Sequence, residues 1–371
     1  MKVTMTMHGF ARNLAVSALL IASAQGALAA EVLAPPAGYL GAVRFKKSSP
    51  AICAPAPTPF TGTLDFPSKY EGSGSTRDEL NAEAQRAYEA LTLPITEMEK
   101  GFGRLVTKFM DTGNPGQLDC AIAWLFAWAQ AGALQGEATS HTGRSMRKWS
   151  LGSLSGAYLR LKFSSSAPLA KYPAQSARIE AWLGTVADLV VREWPPQDPL
   201  PKFNNHYYWA AWSLIATAVV TNRHDLLDRS VAIFRVFVGQ VDEEGYLPNE
   251  LARGSRAAEY HAYAMQPIAM IAAFGKANDI NLAAEGDRAL TRLAQKARLA
   301  LEDPASFAQR AGAEQEPLPP DSSSRWVWLE PYCWTVTCSP TLQARLATLR
   351  PLAVTRLGGN LTAVFAVSAT P

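Results

Sequence analysis

The chain has 371 residues, a formal charge of +3 at pH 7 and four cysteines. A protein so close to neutral cannot draw in a polyanion through its overall field; cations would have to gather in a cleft, where low-dielectric walls focus the potential. The same balance excludes nucleic acid as a partner, and no segment is long and apolar enough to span a bilayer, which takes about 20 residues.

Lys2 and Arg12 open the chain, Leu14–Ala24 is a short apolar run, and Ala27-Leu28-Ala29 supplies the small residues that a signal peptidase reads. Residues 1–29 are therefore expected to be a cleavable signal peptide, since the run is too short for the other reading, a membrane anchor. The mature protein is expected in the bacterial periplasm, and losing Lys2 and Arg12 lowers the formal charge by two. Its length, about 340 residues, exceeds the usual limit of a single core, but one ring of helices can reach that size as a unit.

Residues 30–75 are rich in Pro and Ala, including Pro35, Pro36, Pro50, Pro55, Pro57, Pro59 and Pro67. This predicts an extended segment laid over a surface rather than a helix. Thr76-Arg77-Asp78-Glu79 has the form of a capping box, which predicts a helix to Leu91. Pro94 punctuates it, and a second helical stretch runs to about Met110. Further helices are expected over Gly116–Leu134, Ser140–Phe163, Ala174–Trp194, Tyr207–Thr221, Asp225–Val238, Ser255–Lys276 and Leu282–Leu301. Only Gly245–Leu251 and the segments near Val327–Leu329 and Leu361–Ala366 look extended. No fixed-period repeat is visible, so residues 76–371 are read as a large all-α domain, with an incomplete α/α toroid around a central cleft as the leading architecture.

Export to an oxidising compartment permits disulfides, and Cys53, Cys120, Cys333 and Cys338 allow three pairings. Cys53–Cys120 with Cys333–Cys338 is preferred, because it ties down the N-terminal extension and staples a local turn. Buried free thiols are the other reading, whereas a zinc site would call for paired C-x-x-C spacing.

Two strings carry candidate chemistry. Asn204-Asn205-His206-Tyr207-Tyr208-Trp209-Ala210-Ala211-Trp212 follows a Pro-rich break and leads into a helix. Its first residues sit where free backbone N–H groups favour negative charge. Polar donors beside aromatic faces suit a sugar, but a capped core helix with a satisfied histidine would read the same way. In the second string, Arg253 and Tyr260 are seven residues apart, about two turns if helical, so both could face one cleft. Arg256 has Glu259 three residues on, and a solvated ion pair is the plainer reading for it.

Asn205-His206-x-x-Trp209, then Leu247-Pro248-Asn249-Glu250-Leu251, Arg253 and Glu259-Tyr260-His261, resemble the alginate lyases of polysaccharide lyase family 5. The similarity continues in Ser68-Lys69-Tyr70-Glu71-Gly72-Ser73, Arg147-Lys148-Trp149-Ser150-Leu151-Gly152-Ser153-Leu154, Trp328-Leu329-Glu330-Pro331-Tyr332-Cys333 and Arg356-Leu357-Gly358-Gly359. The resemblance covers most of the mature chain, in order, but leaves Asp303–Ser324 and Trp334–Ser339 unmatched and a contact from Arg350 doubtful. It implies Asn205, His206, Arg253 and Tyr260 as the catalytic set and mannuronate-rich alginate as substrate, cleaved by β-elimination without cofactor or metal. Proteins of alginate biosynthesis or export would be further partners.

Elimination must neutralise the uronate carboxylate, remove the C5 proton and protonate the leaving O4. Asn205 could donate its amide to the carboxylate, with Arg253 or His206 supplying charge. Tyr260 would carry the proton, its phenolate favoured by adjacent cations against a reference pKa of about 10. In β-mannuronate the C5 hydrogen and O4 lie on one side, so Tyr260 could be base and then acid. Making His206 the base and Tyr260 only the acid is the competing assignment. Lys69, Tyr70, Arg147, Lys148, Trp209 and Arg256 are the candidate substrate contacts, with Lys69 and Tyr70 on a segment suited to act as a lid. A solvated helix face is the default for Arg144, Arg147 and Lys148. Trp149 and Trp209 could stack on sugar or pack in the core, and His141, His224 and His261 have no metal-ligand spacing, so core or surface roles are expected for them. A glycoside hydrolase needing two opposed carboxylates, and a non-catalytic alginate-binding or export protein, are the rival readings.

Overall fold

The computed structural model describes residues 1–2, 4, 31–47, 52–70, 72, 79–195, 203–317 and 323–366. The expected signal peptide, the Thr76 capping box and part of the expected lid lie outside the described residues. Among the described residues, no helix is long and apolar enough to cross a membrane. The chain divides at Leu33, and the helices belong to the unit Leu33–Pro371.

Its long helices are α1 (Ala82–Thr112), α2 (Pro115–Ala131), α3 (His141–Lys162), α4 (Pro173–Glu193), α5 (Asn205–Thr221) and α6 (His224–Gln240). The short α7 (Pro248–Leu251) leads to α8 (Ala257–Lys276) and α9 (Glu285–Glu302), and the short α10 (Ala308–Ala311) comes next. Then come α11 (Leu329–Thr335), α12 (Pro340–Leu349) and α13 (Thr362–Phe365). The described strands are β1 (Ala353–Val354) and β2 (Gly359–Asn360), an antiparallel pair.

Local chemistry sets several ends. Asn81 accepts from Glu83 N and Ala84 N at the start of α1, Asn114 from Gly116 N at α2, and Ser140 from Gly143 N at α3. Gly113 stops α1 with φ +68°, a left-handed geometry that glycine adopts without strain. Pro94 does not split α1 as expected. Its missing N–H costs one helical bond, but Ile95, Met98, Phe102, Val106 and Phe109 form a fully buried stripe that begins right after it, with Tyr88 buried before it. That continuous apolar face holds the helix together. Three segments expected to be extended also differ: Gly245–Leu251 ends in the turn of α7, Val327–Leu329 runs from a 3-10 turn into α11, and Leu361–Ala366 contains α13. These helical pieces are too short to show a 3.6-residue period.

The helices pair into two layers. α1, α3, α5, α8 and α11 pack in succession as an inner series, while α2, α4, α6, α9 and α12 lie behind them. α5 is apolar all round and almost wholly buried, as befits an inner helix with α3, α4, α6 and α8 as neighbours. The arrangement is the expected α/α toroid. The Pro-rich N-terminal segment lies across helix ends and loops, and side chains satisfy much of its backbone. Asn222 and Asn278 accept from Leu33 N and Ala34 N, and the indoles of Trp124 and Trp128 donate to Ala54 O and Pro57 O. Cys53–Cys120 and Cys333–Cys338 are bonded, the preferred pairing.

The β1–β2 turn matters for the site because it packs on α1, α3 and α8. Gly358, at φ +91°, comes so close to Gly156 of α3 that an added Cβ would lie 2.5 Å from a backbone carbon. This close approach carries Arg356 into the cleft bounded by the inner helices.

Candidate active site

A cleft of about 870 Å³, open mouth included, is walled by α3, the start of α5, the α7–α8 corner, Ser68–Tyr70 and Arg356. Asn205, His206, Arg253 and Tyr260 all line it. So do Lys69, Tyr70 and Arg256. Among the described lining residues, Lys69, Arg253, Arg256 and Arg356 face a single carboxylate, Glu259. A nearly neutral chain has thus concentrated cations where a polyanion could lie.

Asn204 caps α5, its side chain accepting from His206 N at 3.1 Å. Asn205, the first residue of the helix, is fastened to the buried Glu250 of α7. Its backbone N–H donates to Glu250 Oε1 at 2.6 Å, and its amide nitrogen donates to both carboxylate oxygens at 3.1 Å. Nδ2 is thus engaged by Glu250, and Asn205 Oδ1 is buried with no partner among the described residues. Beside the donor role expected of Asn205, Oδ1 offers an acceptor suited to a hydroxyl or a protonated carboxyl. Burial pushes the Glu250 carboxyl above its usual range, with Arg253 at 3.9 Å opposing.

His206 is gripped on one edge and packed on its faces. Nδ1 lies 3.1 Å from Ser145 Oγ and 3.0 Å from Lys148 Nζ. Trp194 stacks at 5.7 Å with planes 4° apart, and His141 meets it edge-on at 4.5 Å. His141 itself lines the cleft, so the core or surface role expected for it is corrected. His261 does have a core role. It accepts from Leu247 N, its Nδ1 bonds Ala257 O, and burial lowers its pKa to about 4.

On the opposite wall, Arg253 and Tyr260 do not share a continuous helix, because a 3-10 turn at Gly254–Arg256 separates Arg253 from α8. They still converge: the Arg253 and Arg256 guanidinium carbons sit 4.2 and 5.1 Å from the Tyr260 ring centroid. Arg256 also pairs with Glu259 at 2.7 Å and lies 4.9 Å from the Tyr70 ring. The Tyr260 hydroxyl is nonetheless held above its ordinary pKa. Desolvation is the largest cause, and the pull of Arg253 and Arg256 does not overcome it. The expected net stabilisation of a phenolate is therefore corrected: its surroundings favour Tyr260 as a phenol.

Three expected contacts sit elsewhere. Arg147 is 1% exposed and bonds Leu134 O, Gly136 O and Glu193. Trp209 is 1% exposed and packs on Tyr263 at 5.0 Å. Lys148, far from a solvated face, is fully buried behind His206. All three lie on the covered sides of inner helices, and none lines the cleft. Arg350 binds Glu330 through two bonds of 2.8 Å. Arg356 donates to the Tyr263 hydroxyl at 2.9 Å and stacks 3.9 Å over Trp149, which lines the cleft. No group of three metal-ligating side chains occurs among the described residues.

Residues 65–307, more than half the chain, match the family described as alginate lyase. Alginate lyases of Azotobacter vinelandii and Pseudomonas aeruginosa are 49% and 48% identical to it. The first match spans 91% of this chain and 90% of that protein, the second 95% of each. The solved alginate lyase A1-III, complexed with tetrasaccharide, shares the fold at a TM-score of 0.70 and 22% identity, over 86% of this chain and 88% of the other. Its Bacteroides ovatus counterpart has a TM-score of 0.56 at 15% identity, over 78% of each. With a cation-lined cleft on a helical toroid and near-half identity along almost the whole length, the chain belongs to the alginate lyase family.

Proposed function

We propose that this protein is an alginate lyase that cleaves mannuronate-rich chains by β-elimination, with Tyr260 as the proton carrier. The observation that carries the reading is Tyr260 set against the Arg253 and Arg256 guanidinium groups, in one cleft with Asn205 and His206. The uronate carboxylate sits against Arg253 and the His206 ring, which offset the charge that builds on it as C5 loses its proton. Asn205 Oδ1 accepts from a substrate hydroxyl or from the carboxyl in its protonated form. Tyr260, once ionised, takes the C5 proton, the electron pair forms the C4=C5 double bond, and the C4–O4 bond breaks. The same phenol then protonates O4, which is feasible because both groups lie on one side of a β-mannuronate ring. One chain leaves with a 4,5-unsaturated end and the other with a new reducing end.

A hydrolase would need two opposed carboxylates, but the single described lining carboxylate, Glu259, is committed to Arg256 and Arg325. A binding protein would have no use for a buried proton carrier. Purified protein should generate ultraviolet absorbance from the conjugated double bond on polymannuronate, and much less on polyguluronate. Reducing ends without absorbance would indicate hydrolysis, and neither signal would indicate a binder. Function in the periplasm after loss of residues 1–29, among proteins of alginate biosynthesis or export, belongs to the same proposal. N-terminal sequencing of the periplasmic fraction and co-purification from cells test it.

A further inference from the structure

Lys148 is the most unusual charged group in the molecule that the elimination leaves unused. It is fully buried on α3, and among the described residues no carboxylate pairs with it. Its neighbour Arg147, by contrast, has Glu193. A leucine or methionine would fill the same space without the cost of desolvating an amine. Three acceptors surround Nζ. The Trp194 ring centroid lies 3.2 Å away, Ser145 Oγ 3.4 Å and His206 Nδ1 3.0 Å. An ammonium has one N–H for each of the three; the neutral amine keeps two, for the ring face and for Nδ1, its shortest polar contact, and its lone pair takes the Ser145 hydroxyl hydrogen. A negative ring face asks for a hydrogen or a cation and repels a lone pair, so the amine meets the indole with N–H in either charge state.

The consequence falls on His206. A nitrogen that accepts at Nδ1 carries its lone pair there, which puts the proton on Nε2, the opposite edge of a ring that lines the cleft. Adding a second proton at Nδ1 would set two donors head to head at 3.0 Å. We propose that Lys148 is a positioning residue that holds His206 as the neutral Nε2–H tautomer, so that His206 meets the substrate as a hydrogen-bond donor. A donor cannot take the C5 proton, which leaves Tyr260 to carry it. The inference rests on the elimination reading but is measured separately from it.

Other charged and titratable groups bear on this pair. Arg144 and Arg356 both act with burial to depress the Lys148 amine well below its ordinary value. The His141 ring meets His206 edge-on at 4.5 Å. Asn205 precedes His206 and is neutral.

The tautomer can be read without substrate, by nitrogen-15 NMR of the histidine ring in the full chain, with His206→Gln assigning the signals. Wild type should show the Nε2–H pattern. Lys148→Met keeps the volume but removes the donor; its His206 ring should become a tautomer mixture that titrates, and kcat should fall roughly 10- to 100-fold with KM little changed, the scale for a group that orients another. The acid limb of the kcat profile should move with the ring titration. Lys148→Gln restores a donor and should recover part of the Nε2–H signal, and it keeps the test open if the Met protein does not fold. An Nδ1–H pattern in wild type would overturn the proposal, as would a Lys148→Met protein whose tautomer and pH profile match wild type. If instead the tautomer behaves as described and no unsaturated product forms, it is the elimination reading that has failed.

Discussion

The two walls of the cleft handle buried ionisable groups in opposite ways. On the α3–α5 wall the buried Lys148 is matched by hydrogen bonds to His206 and Ser145, and Asn205 is held by Glu250 reaching across from α7. On the α7–α8 wall Tyr260 is half-buried, and guanidinium groups stacked on its ring oppose desolvation without cancelling it. The first wall is fixed in advance and presents groups of set polarity. The second holds Tyr260 as a phenol against two guanidinium groups that pull toward the phenolate. Rigidity and reactivity are thus assigned to different elements of one toroid.

This contrast can be broken from either side. The largest effect expected among these variants comes from Arg253→Met, which removes charge from both the carboxylate and the phenol. kcat/KM should fall roughly 10²- to 10³-fold, as for loss of one preorganised charge-stabilising group. Arg253 lowers the Tyr260 pKa, so its loss must raise it further. The rise of activity toward alkaline pH should therefore shift to higher pH, read from initial rates across a pH series.

A smaller loss, roughly tenfold, is expected for Glu250→Gln, because the amide nitrogen of Asn205 loses one of the two carboxylate oxygens that it faces. Stability gives a second readout. Burial holds the Glu250 carboxyl above its usual value, so the folded protein keeps a proton that the unfolded chain releases. The contribution of this group is full below the ordinary carboxylate range and declines as pH rises through the raised value. Glu250→Gln should remove that decline, seen as a flatter dependence of the urea midpoint on pH.

The smallest effect on catalysis belongs to Arg147→Met. Its guanidinium braces Leu134, Gly136 and Glu193 rather than substrate. KM and kcat should stay within about twofold, while breaking a buried pair lowers stability by about 3–5 kcal/mol. Denaturant unfolding and a KM measurement on one preparation separate the two.

Helix positions were legible in the sequence because caps such as Ser140 and stops such as Gly113 act within a few residues. The candidate quartet Asn205, His206, Arg253 and Tyr260 was legible only as a resemblance, since residues such as Asn205 and Glu250 meet across 45 positions of sequence. Lys148 and Trp209 were misplaced because charge and aromaticity suggest a wet or sugar-facing side, whereas both lie on the covered sides of their helices. His141 carries no motif at all and enters the cleft through the position of α3. The Tyr260 pKa went the other way because cations can be seen in a sequence and desolvation cannot.

The central claim is that the proton travels through the Tyr260 hydroxyl. Tyr260→Phe keeps the ring against Arg253 and Arg256 and removes only that oxygen. On saturating polymannuronate, the rate at which ultraviolet-absorbing ends appear should drop at least 10²-fold, roughly the scale for loss of a general acid–base group, while polymer binding is retained. Turnover by Tyr260→Phe close to the wild-type rate would contradict the account.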